Sequence, residues 1–362
     1  MKRQWPLDTA LSFDPYFGEP DRDGDTGYEL LPDGKVFVRV KAPNASRVVL
    51  DRFGTEFPLE RASGEMWEGT LDMGTGFLYF FLKIDGADVL SHAFPIGYGC
   101  CRPMNFFDVP VPGEDWDRLD DIPHGSVTRQ YFPSSVTGKH EICLVYLPPA
   151  FDWRKQYPVL YLQHGYGENE TGWIYQGHAG RIADRLLFEG RMEECIIVMG
   201  NGMVRVEGVD EKQLIQRALF TELLVADLIP FIEAKYPVKT DKWSRAMAGL
   251  SMGSYQTSLV TLTHPELFGY AGVFSGFLRF PRAEGPEKHL ALLDDGDAFN
   301  ASFRVFYRAM GTEDQFFNTF AEDDEMLKTK PVHMLRRTFP GGHDWGVWRR
   351  CIHDFLPLIF RE

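Results

Sequence analysis

The chain has no long apolar run, no apolar leader and no excess of positive charge. None of its 362 residues lies in an uninterrupted apolar stretch of about 18 residues or more, so we expect no membrane-spanning helix. Lys2 and Arg3 are followed by no apolar segment, so we expect no signal peptide. The formal net charge of −14 disfavours nucleic acids and anionic membranes as partners.

The five cysteines are too few and too irregularly spaced for a disulfide framework or a zinc site. Their number is odd, and Cys100 and Cys101 are adjacent while the other three stand far apart. Such usage is typical of a reducing compartment, so we expect a cytoplasmic protein. We expect no metal ion and no other cofactor.

The chain changes character near residue 120. Residues 1–109 hold short β-rich runs separated by turn residues, for example 36–40 and 77–84, which predicts an all-β sandwich. Residues 110–123 combine prolines with acidic side chains and predict an exposed linker. From 124 to 362, strands and helices alternate, which predicts an α/β fold with a doubly wound, mostly parallel sheet. The predicted strands are 142–147, 159–163, 195–199, 245–248, 270–274, 303–309 and 333–339, and the predicted helices are 214–234, 255–263 and 344–360.

The pentapeptide Gly249-Leu250-Ser251-Met252-Gly253 stands between a predicted strand and a predicted helix. In that context a Gly-x-Ser-x-Gly sequence forms a tight turn that exposes the serine hydroxyl above a parallel sheet. The flanking glycines allow neighbouring backbones to approach closely. We therefore predict that Ser251 is a nucleophile, whereas the alternative interpretation is an ordinary glycine-rich turn.

A serine hydroxyl is a poor nucleophile near neutral pH and needs a base. Among the ten histidines, His343 is the best candidate, because it follows a predicted strand and the pair Gly341-Gly342. A glycine pair makes a turn that can carry the imidazole over the ends of the strands. The other histidines have no comparable context, and a histidine without one is more often structural.

A carboxylate must orient the imidazole and stabilise its protonated form. Asp314 is the best candidate, since it follows strand 303–309 and Gly311, where a doubly wound fold presents its active-site loops. The rival carboxylates are Glu313, Asp294, Asp295 and Asp297. Glu313 is the main rival because it is adjacent to Asp314, and the others lie in a polar loop with no strand directly before them.

Acyl transfer also requires N–H donors for the developing oxyanion. The N–H of Met252, directly after the serine, is one candidate. The N–H of Tyr166 is the second, because the glycine-rich segment 164–167 follows an early strand. Aromatic residues near these loops are expected to line an acyl pocket and bind substrate: Tyr166, Trp173, Phe277 and Trp345.

Taken together, these segments resemble the esterase branch of the α/β-hydrolases, which contains feruloyl and acetyl-xylan esterases. Enterochelin esterases, S-formylglutathione hydrolases and mycolyltransferases belong to the same group. The matching segments are 145–149, 157–165, 246–253, 311–314 and 341–345. The serine, aspartate and histidine also occur in the order that this family uses. One departure is Ser254, where many relatives carry a further glycine.

The resemblance implies an α/β-hydrolase fold and a serine carboxylic ester hydrolase. It implies Ser251, Asp314 and His343 as the triad, with the N–H groups of Tyr166 and Met252 as the oxyanion hole. The implied substrates are feruloyl or acetyl esters of plant-derived oligosaccharides, or similar small esters. Three alternatives stay open: hydrolysis of another imported ester such as a catechol siderophore, acyl transfer to an alcohol, and an inactive glycan-binding protein.

The N-terminal segment resembles the immunoglobulin-like sandwich module of glycogen-branching and debranching enzymes, which also precedes such esterases. The matching pieces are 40–45, 67–69 and Tyr79 with the turn at 84–86. The resemblance implies a carbohydrate-binding module or a domain that packs against the esterase. We favour packing, because the sequence identifies no exposed aromatic platform.

Overall fold

The structure, a computed structural model, describes residues 26–208, 219–279 and 287–361. The chain divides into two compact units, and the boundary lies between Asp115 and Trp116, within the segment predicted as a linker. In these three ranges, no helix has both the length and the apolar character that crossing a membrane requires.

The first unit consists of two antiparallel sheets that share one core. Its strands are β1 (Gly27–Leu30), β2 (Val36–Lys41), β3 (Val48–Arg52), β4 (Thr55–Pro58), β5 (Glu60–Arg61), β6 (Met66–Leu71), β7 (Gly76–Ile84), β8 (Ala87–Val89), β9 (Ile96–Gly99) and β10 (Arg102–Val109). The sheet orders are β1-β2-β6-β5 and β4-β3-β7-β10-β9, with β8 beside β7. Val36, Val38 and Val40 alternate with outward residues and pack in one cluster with Leu50 and Phe80 of the other sheet. The immunoglobulin-like topology stays a prediction.

The second unit is built on a mostly parallel sheet, as the alternation of strands and helices predicts. Its strands are β11 (Ser126–Pro133), β12 (His140–Leu147), β13 (Val159–Gln163), β14 (Ile196–Gly200), β15 (Arg245–Leu250), β16 (Tyr270–Phe274), β17 (Val305–Gly311) and β18 (Leu335–Phe339). The order is β11-β12-β14-β13-β15-β16-β17-β18, with antiparallel pairs only at β11, β12 and β14 within the described residues. Every residue of β13 to β16 is buried, because a parallel sheet is covered on both faces.

The three predicted helices are present, two of them with changes at prolines, and the structure also contains helices that the sequence analysis did not predict. The helices are α1 (Gly172–Tyr175), α2 (Ala179–Phe188), α3 (Leu219–Leu223), α4 (Ile229–Lys235), α5 (Met252–Thr263), α6 (Gly296–Ser302), α7 (Phe317–Leu327) and α8 (Trp345–Phe355). A π-helical turn, Leu224–Leu228, joins α3 to α4 just before Pro230, whose missing N–H interrupts the α-helical bonds. The predicted helix 214–234 therefore changes its winding, and 214–218 lie outside the described residues. The last helix ends at Phe355, since Pro357 lies in a following 3₁₀ turn, Leu356–Leu358.

The strand order reverses at β13, which has β14 on one side and β15 on the other. Open α/β sheets bind their ligands beyond the carboxyl ends of the strands at such a reversal. The loops that follow β13, β15, β17 and β18 all lie at this edge, and they carry Tyr166, Ser251, Asp314 and His343. The topology alone therefore gathers the predicted site residues.

The second half of the predicted linker is tied to the second unit by ion pairs. Asp117 Oδ2 lies 3.0 Å from His178 Nδ1 and 3.3 Å from Arg349 Nη1. Asp120 pairs with Arg185 of α2. The acidic composition indicates a solvated segment, but these carboxylates have cationic partners that are distant in the sequence.

We expect Asp323→Ala to be strongly destabilising. Its buried carboxylate accepts the N–H of Leu278 at 3.2 Å and Nε of Arg279 at 2.8 Å, and it lies 3.8 Å from the buried Arg308. Asp323→Ala leaves the buried Leu278 N–H without its acceptor, whereas Arg308 keeps Asp324 at 2.8 Å, so the free energy of unfolding should fall by about 1–3 kcal/mol in urea titrations. Glu322→Ala is the matched control, because an exposed pair contributes about 0–1 kcal/mol. Equal losses in the two variants would contradict this role of Asp323.

Candidate active site

Ser251 stands on a strained turn between β15 and α5. Its backbone has φ of 51° and ψ of −115°, a left-handed conformation that residues with a Cβ rarely adopt. A Cβ on Gly249 would lie 2.5 Å from the carbonyl oxygen of Gly253, and one on Gly253 would lie 2.6 Å from that of His164. Both glycines are therefore required by close backbone approach, as the pentapeptide predicts. The turn lifts the serine to the edge of the sheet.

A continuous chain of hydrogen bonds joins the three predicted residues. Ser251 Oγ lies 2.9 Å from His343 Nε2, and His343 Nδ1 lies 2.8 Å from Asp314 Oδ2. Because the carboxylate only accepts, Nδ1 carries the proton and Nε2 presents its lone pair to the serine hydroxyl. The three side chains come from the ends of β15, β17 and β18, so non-adjacent segments of the sequence converge here.

Asp314 is held as a carboxylate inside the protein. Its side chain is buried, and Oδ1 accepts the N–H of Phe316 at 2.9 Å. Burial by itself raises the pKa of Asp314, but the hydrogen bond and charge of His343, with donors from Phe316 and Ser275, outweigh burial and hold that pKa below its ordinary value. The aspartate can therefore orient the imidazole and stabilise its protonated form.

The rival carboxylates all point to solvent: Glu313, Asp294, Asp295 and Asp297. Asp295 caps α6 by accepting the N–H of Ala298 at 3.0 Å, and Asp294 pairs with Lys330. Each rival therefore has a surface or capping role. Glu313 and Asp314 are adjacent in the sequence, but the side chain of Glu313 is exposed and that of Asp314 is buried.

The two predicted oxyanion donors lie beside the serine. Met252 is the first residue of α5, and the N–H of a first helical residue has no acceptor within its own helix. A Cβ on Gly165 would lie 3.5 Å from Ser251 Cβ, so the Gly165–Tyr166 peptide is next to the nucleophile. The Gly165 carbonyl accepts from His164 Nδ1 at 2.8 Å, and a trans peptide directs the Tyr166 N–H to the opposite side.

The aromatic residues predicted to bind substrate are mostly buried beneath these loops. Trp173 is 1% exposed, Trp345 2% and Phe277 3%, whereas Tyr166 is 48% exposed. Trp173 donates to the Gln163 carbonyl at 2.8 Å and packs edge-on against Trp345. The three buried rings expose little surface in this structure, and their contact with substrate stays a prediction. The sequence places an aromatic near a loop but does not tell which side it faces.

Residues that the sequence did not single out complete the surroundings of His343. Its imidazole packs edge-on against Phe316 at 5.1 Å and Trp348 at 5.2 Å between ring centroids. Trp348 Nε1 donates to Ser275 Oγ at 2.9 Å, and Ser275 also has a positive φ, 46°. Trp348 follows Trp345 by three positions and so lies on the same face of α8. This spacing in the sequence could have identified Trp348 as a neighbour of the site.

Ser254 links the nucleophile turn to the loop after β16, and we expect its hydroxyl to matter. Its Oγ donates to the Ser251 carbonyl at 2.5 Å and accepts the N–H of Phe277 at 3.0 Å, fully buried. Ser254→Ala leaves that N–H without an acceptor, which should lower the free energy of unfolding by about 1–3 kcal/mol. Calorimetry would measure the loss, with the exposed Ser126→Ala as control. An unchanged melting temperature would show that the hydroxyl is dispensable.

Within the described ranges, no cluster of three or more histidine, cysteine, aspartate or glutamate side chains is arranged to hold a metal ion.

A family model described as putative esterase matches residues 134–358. The chain belongs to this family.

Curated relatives of this chain include longer proteins. It is 38% identical over 346 residues to an endo-1,4-beta-xylanase/feruloyl esterase of Xylanibacter ruminicola, covering 91% of this chain and 45% of that protein. It is 24% identical over 245 residues to endo-1,4-beta-xylanase Y of Acetivibrio thermocellus, covering 60% of this chain and 22% of that protein. The chain thus spans less than half the length of these two relatives.

Solved structures share the fold of this chain. A ferulic acid esterase from Anaeromyces mucronatus, bound to ferulic acid, superposes with a TM-score of 0.60 at 23% identity, covering 69% of this chain and 96% of its own. The enterobactin esterase of Shigella flexneri gives a TM-score of 0.64 at 15% identity, covering 91% of this chain and 94% of its own. These likenesses establish the α/β-hydrolase fold of the second unit.

Proposed function

We propose that this esterase works through a Ser251-His343-Asp314 triad and a covalent acyl-enzyme. The observation that carries the proposal is the hydrogen-bonded chain from Ser251 Oγ through His343 to the buried Asp314. Serine hydrolases on unrelated folds use the same geometry. The strained φ of Ser251 supports it, because such strain is concentrated at functional sites.

In the proposed reaction, Ser251 Oγ attacks the ester carbonyl carbon while His343 Nε2 accepts the hydroxyl proton. The N–H groups of Met252 and Tyr166 bind the tetrahedral oxyanion. When the intermediate collapses, His343 gives its proton to the leaving alcohol oxygen. Water then attacks the acyl-enzyme, His343 accepts a proton from it, and the acid leaves as Ser251 regains its proton.

We propose feruloyl esters of plant-derived oligosaccharides, or similar small aryl esters, as the substrates, with acetyl esters as the simpler option. The support is the 38% identical relative, which matches 91% of this chain and has feruloyl esterase in its name. The ring of Tyr166 is exposed and belongs to the residue after Gly165, which lies next to Ser251, so it offers an apolar surface for an aromatic acyl group. The cytoplasmic location and the role of the N-terminal module stay predictions.

The test compares kcat/KM for methyl ferulate, a feruloylated arabino-oligosaccharide and p-nitrophenyl acetate with purified protein. We expect release of ferulate from both feruloyl esters, and faster release from the oligosaccharide if the sugar is recognised. Cleavage of p-nitrophenyl acetate without any release of ferulate would reject the feruloyl proposal. No hydrolysis of any ester would reject the serine mechanism and favour a glycan-binding protein.

A further inference from the structure

A buried carboxylate joins the loop of the proposed oxyanion donor to the loop of the proposed base. Glu168 is 9% exposed and accepts two N–H groups: Gly165 N–H to Oε2 at 3.1 Å and Trp345 Nε1–H to Oε1 at 3.0 Å. Gly165 forms one peptide with Tyr166, whose N–H we propose for the oxyanion hole. Trp345 begins α8 two residues after His343. One side chain therefore contacts both loops that must be aligned with Ser251.

We propose that ionised Glu168 is a positioning residue, which aligns the oxyanion loop with the His343 loop, and that hydrolysis requires its carboxylate form. This inference rests on the proposed triad mechanism and extends it to a residue that touches neither substrate nor nucleophile. Gly165 is held from both sides, because its N–H donates to Glu168 while its carbonyl accepts from His164. The Gly165 carbonyl shares one peptide with the Tyr166 N–H, whereas the Gly165 N–H belongs to the preceding peptide. Glu168 therefore acts on the direction of the Tyr166 N–H through the backbone of Gly165, which joins the two peptides.

The hydrogen-bond inventory explains why the carboxylate is needed. Two N–H donors meet the side chain of Glu168, one at each oxygen, and a carboxylate offers lone pairs on both. A carboxylic acid carries hydrogen on one of these oxygens, which weakens it as an acceptor, and an amide replaces that oxygen by an NH₂ group that accepts nothing. The buried N–H of Gly165 or Trp345 at that position then has a weaker acceptor or none, which is costly. The loop is expected to shift to satisfy that N–H.

Burial brings the titration of Glu168 close to neutral pH. Burial raises the pKa of Glu168 to about 7 from an ordinary value of 4.5, although the hydrogen bonds from Gly165 and Trp345 lower it. No charged group of the described residues contributes to this shift. On its own loop, burial lowers the pKa of His164 to about 4, so that imidazole is neutral when Glu168 titrates. On the Trp345 side, the neighbouring titratable groups are His343 and Asp344, and Asp344 caps α8 through the N–H of Val347.

The raised pKa gives stability and activity opposite dependences on pH. Between pH 4.5 and about 7, the folded protein holds the Glu168 proton more tightly than the unfolded chain does. The contribution of this group to stability is therefore present below pH 4.5 and is lost as the pH rises to about 7. Activity should rise through the same window, because the carboxylate forms there. If Glu168 had only a structural role, its ionisation with rising pH would lower stability without raising activity.

The first experiment measures kcat and KM from pH 5 to 9 for wild type and Glu168→Gln. Losing the alignment of one oxyanion donor costs up to about 10²-fold in kcat, so we expect a loss of about 10–100-fold with KM changed less than about threefold. The acidic limb of log(kcat/KM) should be steeper than a slope of 1 in wild type and return to 1 in the variant. Glu170→Gln, a buried carboxylate two residues along, is the matched control and should keep the wild-type slope.

The result that overturns the proposal is a Glu168→Gln enzyme with kcat within twofold of wild type and an unchanged acidic limb. If that variant does not fold, Trp345→Phe removes one of the two donors while conserving the aromatic packing. Losing a donor to the charged form raises the Glu168 pKa further. The acidic limb should then move to higher pH, and an unmoved limb would overturn the proposal.

A second experiment needs no ester turnover and so separates this inference from the proposed function. In protein labelled with ¹⁵N-tryptophan, the Trp345 indole N–H resonance, assigned with Trp345→Phe, should titrate with a midpoint near the Glu168 pKa of about 7. If wild type cleaves no ester, the proposed function fails. The resonance still tests whether the Glu168 carboxylate accepts the Trp345 indole N–H. An indole signal that does not move between pH 5 and 9 rejects the proposal that Glu168 changes its ionisation in this range.

Discussion

Ser251→Ala is expected to lower kcat for p-nitrophenyl acetate and methyl ferulate by about 10⁶, which leaves only the residual catalysis of the oxyanion hole and substrate binding. The side chain provides the attacking oxygen. Among the described residues, no other hydroxyl is hydrogen-bonded to His343 Nε2. Alanine also fits the strained turn less well than glycine, so circular dichroism must show that the variant folds. Steady-state hydrolysis by the purified variant measures the loss.

A covalent probe gives an independent readout for the serine. A fluorophosphonate should add once to the wild type, at Ser251, and not to the alanine variant, as seen by intact-protein mass spectrometry. Ser126→Ala, at the exposed start of the edge strand β11, is the control and should react like wild type. Full activity or full labelling of Ser251→Ala would assign the nucleophile to another residue.

Asp314→Asn should lower kcat by about 10⁴ while the protein remains folded. An asparagine amide in place of Oδ2 would donate to His343 Nδ1, which forces the proton onto Nε2 and leaves the serine without a base. Because asparagine has nearly the same shape, packing against Phe316 should be conserved. The measurement is kcat for p-nitrophenyl acetate, with the melting temperature recorded beside it.

The neighbouring carboxylate provides a matched control for this prediction. Glu313 is exposed and adjacent in the sequence, so Glu313→Gln removes the same charge without touching His343. We expect its kcat to stay within about twofold of wild type, as is usual for surface substitutions. A larger loss for Glu313→Gln than for Asp314→Asn would reverse the assignment of the acidic member.

Local signals in the sequence were sufficient for most strands of the second unit and for the three polar residues that the structure brings together, but not for β11, α1, α2, α6 and α7. Continuous apolar runs such as Tyr270–Phe274 are buried strands because a parallel sheet is covered on both faces. Ser251 was identifiable because both flanking glycines are required by close backbone contacts, Gly249 with Gly253 inside the turn and Gly253 with His164. His343 and Asp314 were identifiable because loops after parallel strands share one edge of the sheet. These features depend on local geometry and topology, which chain order encodes.

Only the tertiary structure showed which way side chains face and which distant groups pair. Trp173 and Trp345 were expected at a substrate surface, and the structure leaves little of either ring exposed, which the sequence could not show because an aromatic near a motif fits either environment. Glu168 gave no signal in the sequence, since its two donors come from Gly165, close by, and Trp345, 177 positions away. The sequence by itself determined the fold class, the nucleophile turn and the candidates for base and acid. The tertiary structure decided the burial, the partners and hence the charge of each group, because those depend on contacts between segments that the sequence keeps apart.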